Sequence, residues 1–143
     1  MTPFVVIFNS GVFYHGRCGT IWSVKTDIRE VPVSTLAYIG DAVIELYYRL
    51  RYLEDLKTSK LAEKVRKRVS RSGQAGLLDS IWNDLSEEEK EIVKRGMNSR
   101  SATRYGNDPD YRKSTGIEAL IGYLYLNNRI ERIDSILSRG DER

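Results

Sequence analysis

The run from Leu36 to Leu50, LAYIGDAVIELYYRL, constrains the fold more than any other stretch, being apolar and aromatic almost throughout yet carrying Asp41 near its middle. On a 3.6-residue period, Leu36, Ile39, Val43, Leu46, Leu50 and Leu53 fall on one stripe, which predicts a helix packed into a core along that seam. Asp41 falls on the other side with Ser34, Ala37, Tyr38, Ile44, Glu45 and Tyr48. That second face is half apolar, so it too is expected to meet something: a partner helix, another subunit or a ligand.

The remainder is helical in pattern. Pro32 suits a first helical turn, where its missing N–H leaves nothing unsatisfied. Thr58 to Ser72 carries Leu61, Ala62, Val65 and Val69 on one face, with Gly73 as the expected C-terminal stop. Leu77, Leu78, Ile81 and Trp82 mark a short third helix. Ser86 followed by Glu89 reads as a capping box opening a fourth, which runs to about Met97. The acidic run Asp84 to Glu91 reads as a solvated face. A polar stretch from Asn98 to Lys113 shows no apolar period and has the length of a functional loop. Thr115 to Leu126 is apolar on all sides, as in a helix buried all round, and Ile130 to Leu137 closes the chain. The fold class is all-α, a single domain over residues 26–143.

Residues 1–25 differ from all of this. They hold His15, Cys18, Trp22 and three glycines, and read as an extension outside the folded domain, disordered or reflecting an upstream start, with Val24 as the alternative beginning. Cys18 and His15 are the only residues of their types, so no internal disulfide forms and zinc or histidine catalysis has little to build on. The apolar run Phe4 to Phe8 is too short to span a bilayer and lacks a basic leader. A cytoplasmic protein without membrane contact is expected.

Glu118 is the anomaly. It is the one charged side chain between Lys113 and Arg129, and an unpaired buried carboxylate must find a cation, a hydrogen-bond network or a proton. Gly40 adjoins Asp41, and Gly122 lies one turn from Glu118; small residues let two helices approach closely. Two carboxylates from crossing helices form a natural ligand set for Mg2+, which also takes up phosphate oxygens.

The charge pattern suits such a substrate. A net charge of +3 is modest, but Lys57, Lys60, Lys64, Arg66, Lys67, Arg68 and Arg71 crowd one helix against Glu63 alone. Arg95, Arg100, Arg104, Arg112 and Lys113 flank or occupy the long loop, which also offers Asn98, Ser99, Ser101 and Tyr105. Two basic segments bracketing a cation site suggest a phosphodiester polymer.

LAYIGDAV resembles the signature helix of the ribonuclease III domain, and STGIEALIGYLYL its second acidic helix. With KRGMNSRS and YRKSTGIEALIGYL, the chain is similar to the Mini-ribonuclease III family, whose members lack a double-stranded-RNA-binding domain. The likeness covers roughly Pro32 to Leu137. It implies an all-helical homodimer that cuts both strands of double-stranded RNA with Mg2+, leaving 5′-phosphate and 3′-hydroxyl ends, with precursor 23S ribosomal RNA as substrate. Asp41 and Glu118 match the family's acids and are the expected catalytic and metal-binding residues. The larger enzymes have further acids where this chain has Ser34, Ala37 and Thr115, so these become supporting positions, with Thr115 and water standing in for a carboxylate. The resemblance also implies that the signature helix packs against its two-fold mate, through Ala37, Ile44 and Tyr48. Lys64, Lys67, Arg68, Arg95, Asn98, Arg100, Arg104 and Lys113 are the expected grip on RNA. A non-catalytic helical dimer binding structured RNA is the alternative, favoured by the missing acids at Ala37 and Thr115. A DNA-binding regulator could use the basic helix but leaves Glu118 without a reason.

Overall fold

A computed structural model describes residues 26–54 and 57–142. The expectations for residues 1–25 lie outside the described residues. Among the described residues, seven α-helices follow a short 3-10 turn: α1 Val33–Arg51, α2 Thr58–Val69, α3 Arg71–Ile81, α4 Glu87–Met97, α5 Arg100–Thr103, α6 Pro109–Leu126 and α7 Ile130–Leu137. Among the described residues there is no strand.

The bundle is organised around α6. Its apolar circumference buries Ile117, Leu120, Ile121 and Leu124 completely, because α1, α3 and α4 pack around it and α7 covers its end. The contact with α1 is the most extensive. A Cβ added at Gly40 would meet the Glu118 carbonyl oxygen, with the carbonyl carbon at 2.6 Å and the Gly122 nitrogen at 2.8 Å. One added at Gly122 would strike the Leu36 carbonyl. The two backbones touch there, so only glycine fits at either position, and Asp41 is held one residue from the crossing.

This crossing turns the buried face of α1 away from the expected seam, of which Leu36 stays in the core and Val43 packs at its edge. The buried side is Leu36, Ala37, Gly40, Ile44 and Tyr48, while Leu46, Leu50 and Leu53 are exposed and Tyr38 is 82% exposed. The close approach to α6 needs small residues, and these lie on the Ala37–Gly40 side rather than on the leucine seam. Ala37, Ile44 and Tyr48 are therefore core residues and not a surface for a second subunit. Tyr48 Oη also donates to the Leu137 carbonyl at 2.9 Å, fastening α1 to α7.

Other boundaries differ for local reasons. Helix α2 stops at Val69, and Ser70 both ends it and caps α3, accepting from the Gly73 N–H at 3.1 Å. Gly73 thus lies inside α3, where a side chain would hit the Lys67 and Arg68 carbonyls. The polar stretch is only partly loop: α5 occupies Arg100–Thr103, and α6 begins at Pro109 with Asp108 as its N-cap, accepting from the Asp110 N–H at 3.0 Å. Gly106 and Asn107, both at positive φ, make the turn between them.

The capping box forms as expected, with Ser86 and Glu89 exchanging bonds of 2.9 and 3.1 Å. Glu89, however, is not part of a solvated face. It is 2% exposed and held by Arg132 through a fork of 2.7 and 2.8 Å, so its carboxyl titrates below the usual range, chiefly through those hydrogen bonds.

Candidate active site and RNA-facing surface

The α1–α6 crossing places two acids together. Asp41 stands on the exposed side of α1, and Glu118 is partly buried on α6, where the glycine contact presses its own backbone against Gly40. Burial pushes the Glu118 carboxyl up to about 8, and the nearby Asp41 charge pushes it the same way. Asp41 is raised as well, by desolvation first and then by Glu45. Among the described residues neither acid has an ion-pair partner.

Partial desolvation, with the Asp41 charge beside Glu118, makes both carboxyls hold a proton more tightly than usual, and the same electrostatics favour a bound cation. That chemistry fits a divalent cation, which takes carboxylate oxygens and completes its shell with water and phosphate. Asp41 and Glu118 are the residues that would hold it. Among the described residues no third acid, histidine or cysteine joins them in a cluster.

The supporting positions contribute unequally. Ser34 is exposed in the first turn of α1. Ala37 is core and offers no polar atom. Thr115, one turn before Glu118, is buried, and its hydroxyl donates to the Tyr111 carbonyl at 3.0 Å.

Gln74 was not anticipated. It lies on α3, 2% exposed, and neither side-chain amide atom has a hydrogen-bond partner among the described residues. Its carboxamide is nevertheless close enough to Glu118 to draw that carboxyl's pKa back down, while falling short of an ordinary hydrogen bond. The signal was present in the sequence: Gln74 shares the i, i+3, i+4, i+7 stripe of Leu77, Leu78 and Ile81, a polar residue in an apolar row.

The basic residues divide into free and engaged groups. Lys67, Arg95, Arg100 and Arg104 are exposed. Lys64, also exposed, sits over the Tyr52 ring at 5.7 Å, and Arg68 donates to Tyr52 Oη at 3.1 Å. Lys113 is paired with Asp79 at 2.8 Å. Arg112 braces the loop, donating to the Met97 carbonyl at 2.9 Å, to Asn98 Oδ1 at 2.7 Å and to Asn107 Oδ1 at 3.1 Å. Asn98 thereby has its carbonyl oxygen committed. Arg71 stacks on Tyr111 and Tyr105, 4.6 and 5.6 Å from the ring centres, a contact that ties the start of α3 to the loop.

The Ribonuclease III domain family matches residues 34–129, a span that begins in the first turn of α1, runs past the end of α6 and includes both acids. Relatives named Mini-ribonuclease 3 from Kosmotoga olearia and Staphylococcus aureus are 40% and 41% identical over 119 and 111 residues. The alignments cover 80% and 73% of this chain and 82% and 83% of theirs. Among solved structures, the crystal structure of a protein from Fusobacterium nucleatum is similar at a TM-score of 0.73 and 34% identity, covering 82% of this chain and 98% of that one.

Proposed function

The chain belongs to the ribonuclease III family, in its Mini-ribonuclease 3 group, and we propose that this endoribonuclease cuts double-stranded RNA with Mg2+ held between Asp41 and Glu118. The observation that carries this reading is the Gly40–Gly122 crossing, which brings two unpaired acids from distant parts of the chain to one point. A cation bound there would polarise a phosphodiester and lower the pKa of an attacking water. The protein's own part is to hold both carboxylates against their mutual repulsion. Products would carry 5′-phosphate and 3′-hydroxyl ends, and precursor 23S ribosomal RNA in the cytoplasm is the substrate we assign.

A second copy belongs to the same reading. Tyr38, Leu46 and Leu50 on α1, with Leu53 in the turn after it, are exposed apolar residues, and an exposed apolar surface of this kind suits a two-fold pair. That pair would set two acid sites against the two strands of one duplex. Lys64, Lys67 and Arg68 on α2, with Arg95, Arg100 and Arg104, form the grip on phosphate, with Asn98 and Lys113 at its edge. Contacts of this kind read A-form shape rather than base sequence. Among the described residues no helix is long and apolar enough to cross a membrane.

The test is a long RNA duplex incubated with the parent in Mg2+ or EDTA, beside Asp41→Asn and Glu118→Gln. The parent should cut only with Mg2+, and each variant should lose more than the roughly 10–100-fold typical of outer-shell residues. Parental rates in either variant would remove that acid from the site. Binding without cleavage by the parent would favour the non-catalytic RNA-binding dimer. Charge reversal at Lys64, Lys67 and Arg68 should weaken binding and flatten its dependence on salt.

A further inference from the structure

Gln74, beside Glu118, is 2% exposed and is the only residue of α3's core-facing stripe that is not apolar. Leu77, Leu78 and Ile81 continue that stripe, so a leucine at position 74 would complete it. A carboxamide buried with both polar atoms unpartnered is rare in folded proteins and calls for a reason. Its surroundings supply one. Helix α3 packs on α6, and among the described side chains Gln74 is the one whose hydrogen-bonding group bears on Glu118.

We infer that Gln74 is a positioning residue of the cation site, its amide N–H groups orienting the Glu118 carboxylate toward the place it shares with Asp41. The inference rests on the cation site proposed above. A lysine or arginine at this position would also satisfy Glu118, but its charge would compete with the cation. A carboxamide orients the acid and leaves the negative charge intact. Its oxygen remains an acceptor with no claimant among the described residues. Metal-binding residues are commonly fixed by a neighbour of this kind.

The experiment compares the full chain with Gln74→Leu, Gln74→Met, Asp41→Asn and Glu118→Gln. Mn2+ binding is followed without RNA by electron paramagnetic resonance of the free ion, and thermal unfolding is recorded in EDTA. Both Gln74 variants should stay folded in EDTA, because an apolar side chain at this position completes the buried stripe of α3. Their half-saturating Mn2+ concentration should rise about 10–100-fold, and their duplex cleavage should recover toward the parent's rate as metal is added. Parental Mn2+ affinity in a folded Gln74 variant overturns the inference. Failure of both variants to fold also overturns it, making Gln74 a structural residue. If the parent binds no Mn2+, or if Asp41→Asn and Glu118→Gln bind it as the parent does, the cation site itself falls and this inference with it. Binding lost in those two variants but intact in Gln74→Leu removes Gln74 alone.

Discussion

Glu118→Gln should make the metal-free protein more stable, by an amount that depends on pH in a defined way. Burial and Asp41 raise the folded-state pKa of Glu118 from the ordinary 4.5 to about 8. Below 4.5 both folded and unfolded chains hold the proton, and the carboxyl behaves like the amide. As pH rises from there, the unfolded chain ionises while the folded one resists, so the parent loses stability until the folded carboxyl also ionises near 8. At 1.36 kcal/mol per unit the full shift corresponds to about 5 kcal/mol. Glu118 is only partly buried and is screened by solvent, so roughly 2 kcal/mol is the working figure. That difference is about 5–10 °C in Tm for a domain of this size. Far-UV circular dichroism in EDTA at about pH 5, 6.5 and 8.5 reads it directly. The gap between variant and parent should be small at the lowest pH and largest at the highest. Saturating Mg2+ should close it by stabilising the parent alone. A gap that does not change with pH would refute the claim that Glu118 is an uncompensated acid.

Gly40→Ala should cost about 3 kcal/mol or more, since its methyl group collides with the α6 backbone, and the urea midpoint should fall accordingly. Arg132→Met strands the buried Glu89 carboxylate and should cost about 3 kcal/mol at neutral pH. Because the Glu89 pKa is lowered in the fold, that contribution is present above its ordinary value of 4.5 and disappears as pH falls through the folded value. Urea melts of parent and variant should therefore converge in acid. If the exposed strip of α1 carries the proposed two-fold pair, the parent should sediment as a dimer and Leu50→Glu as a monomer with unchanged circular dichroism.

Where local chemistry decides an element, the amino-acid sequence was sufficient. The Ser86–Glu89 capping box marks the start of α4, and the all-round apolarity of Thr115 to Leu126 identifies the central helix. The face of α1 was not legible in the same way. Two stripes on that helix are apolar, and periodicity counts them without saying which one meets α6. The deciding fact is steric: the backbones touch at Gly40 and Gly122, so the core side is the one with small residues. The first turn of α6 was hidden because Asp110, Arg112 and Lys113 after Pro109 are charged and break the apolar period, although Asp108 before Pro109 is a good helix start. Glu89 and Arg132 are forty-three positions apart, and nothing local in either announces the pair. The two acids were legible as a pair because each lies by a glycine, whereas Gln74 was lost among apolar neighbours it resembles only in position.

A double-mutant cycle on Mg2+-dependent cleavage of an RNA duplex, using Asp41→Asn, Glu118→Gln and the double variant, tests the shared cation site most directly. If one cation needs both carboxylates, each single substitution should reduce the rate nearly as far as the double substitution does. Losses that simply multiply, or a single variant cleaving at the parent's rate, would contradict a site built jointly from Asp41 and Glu118.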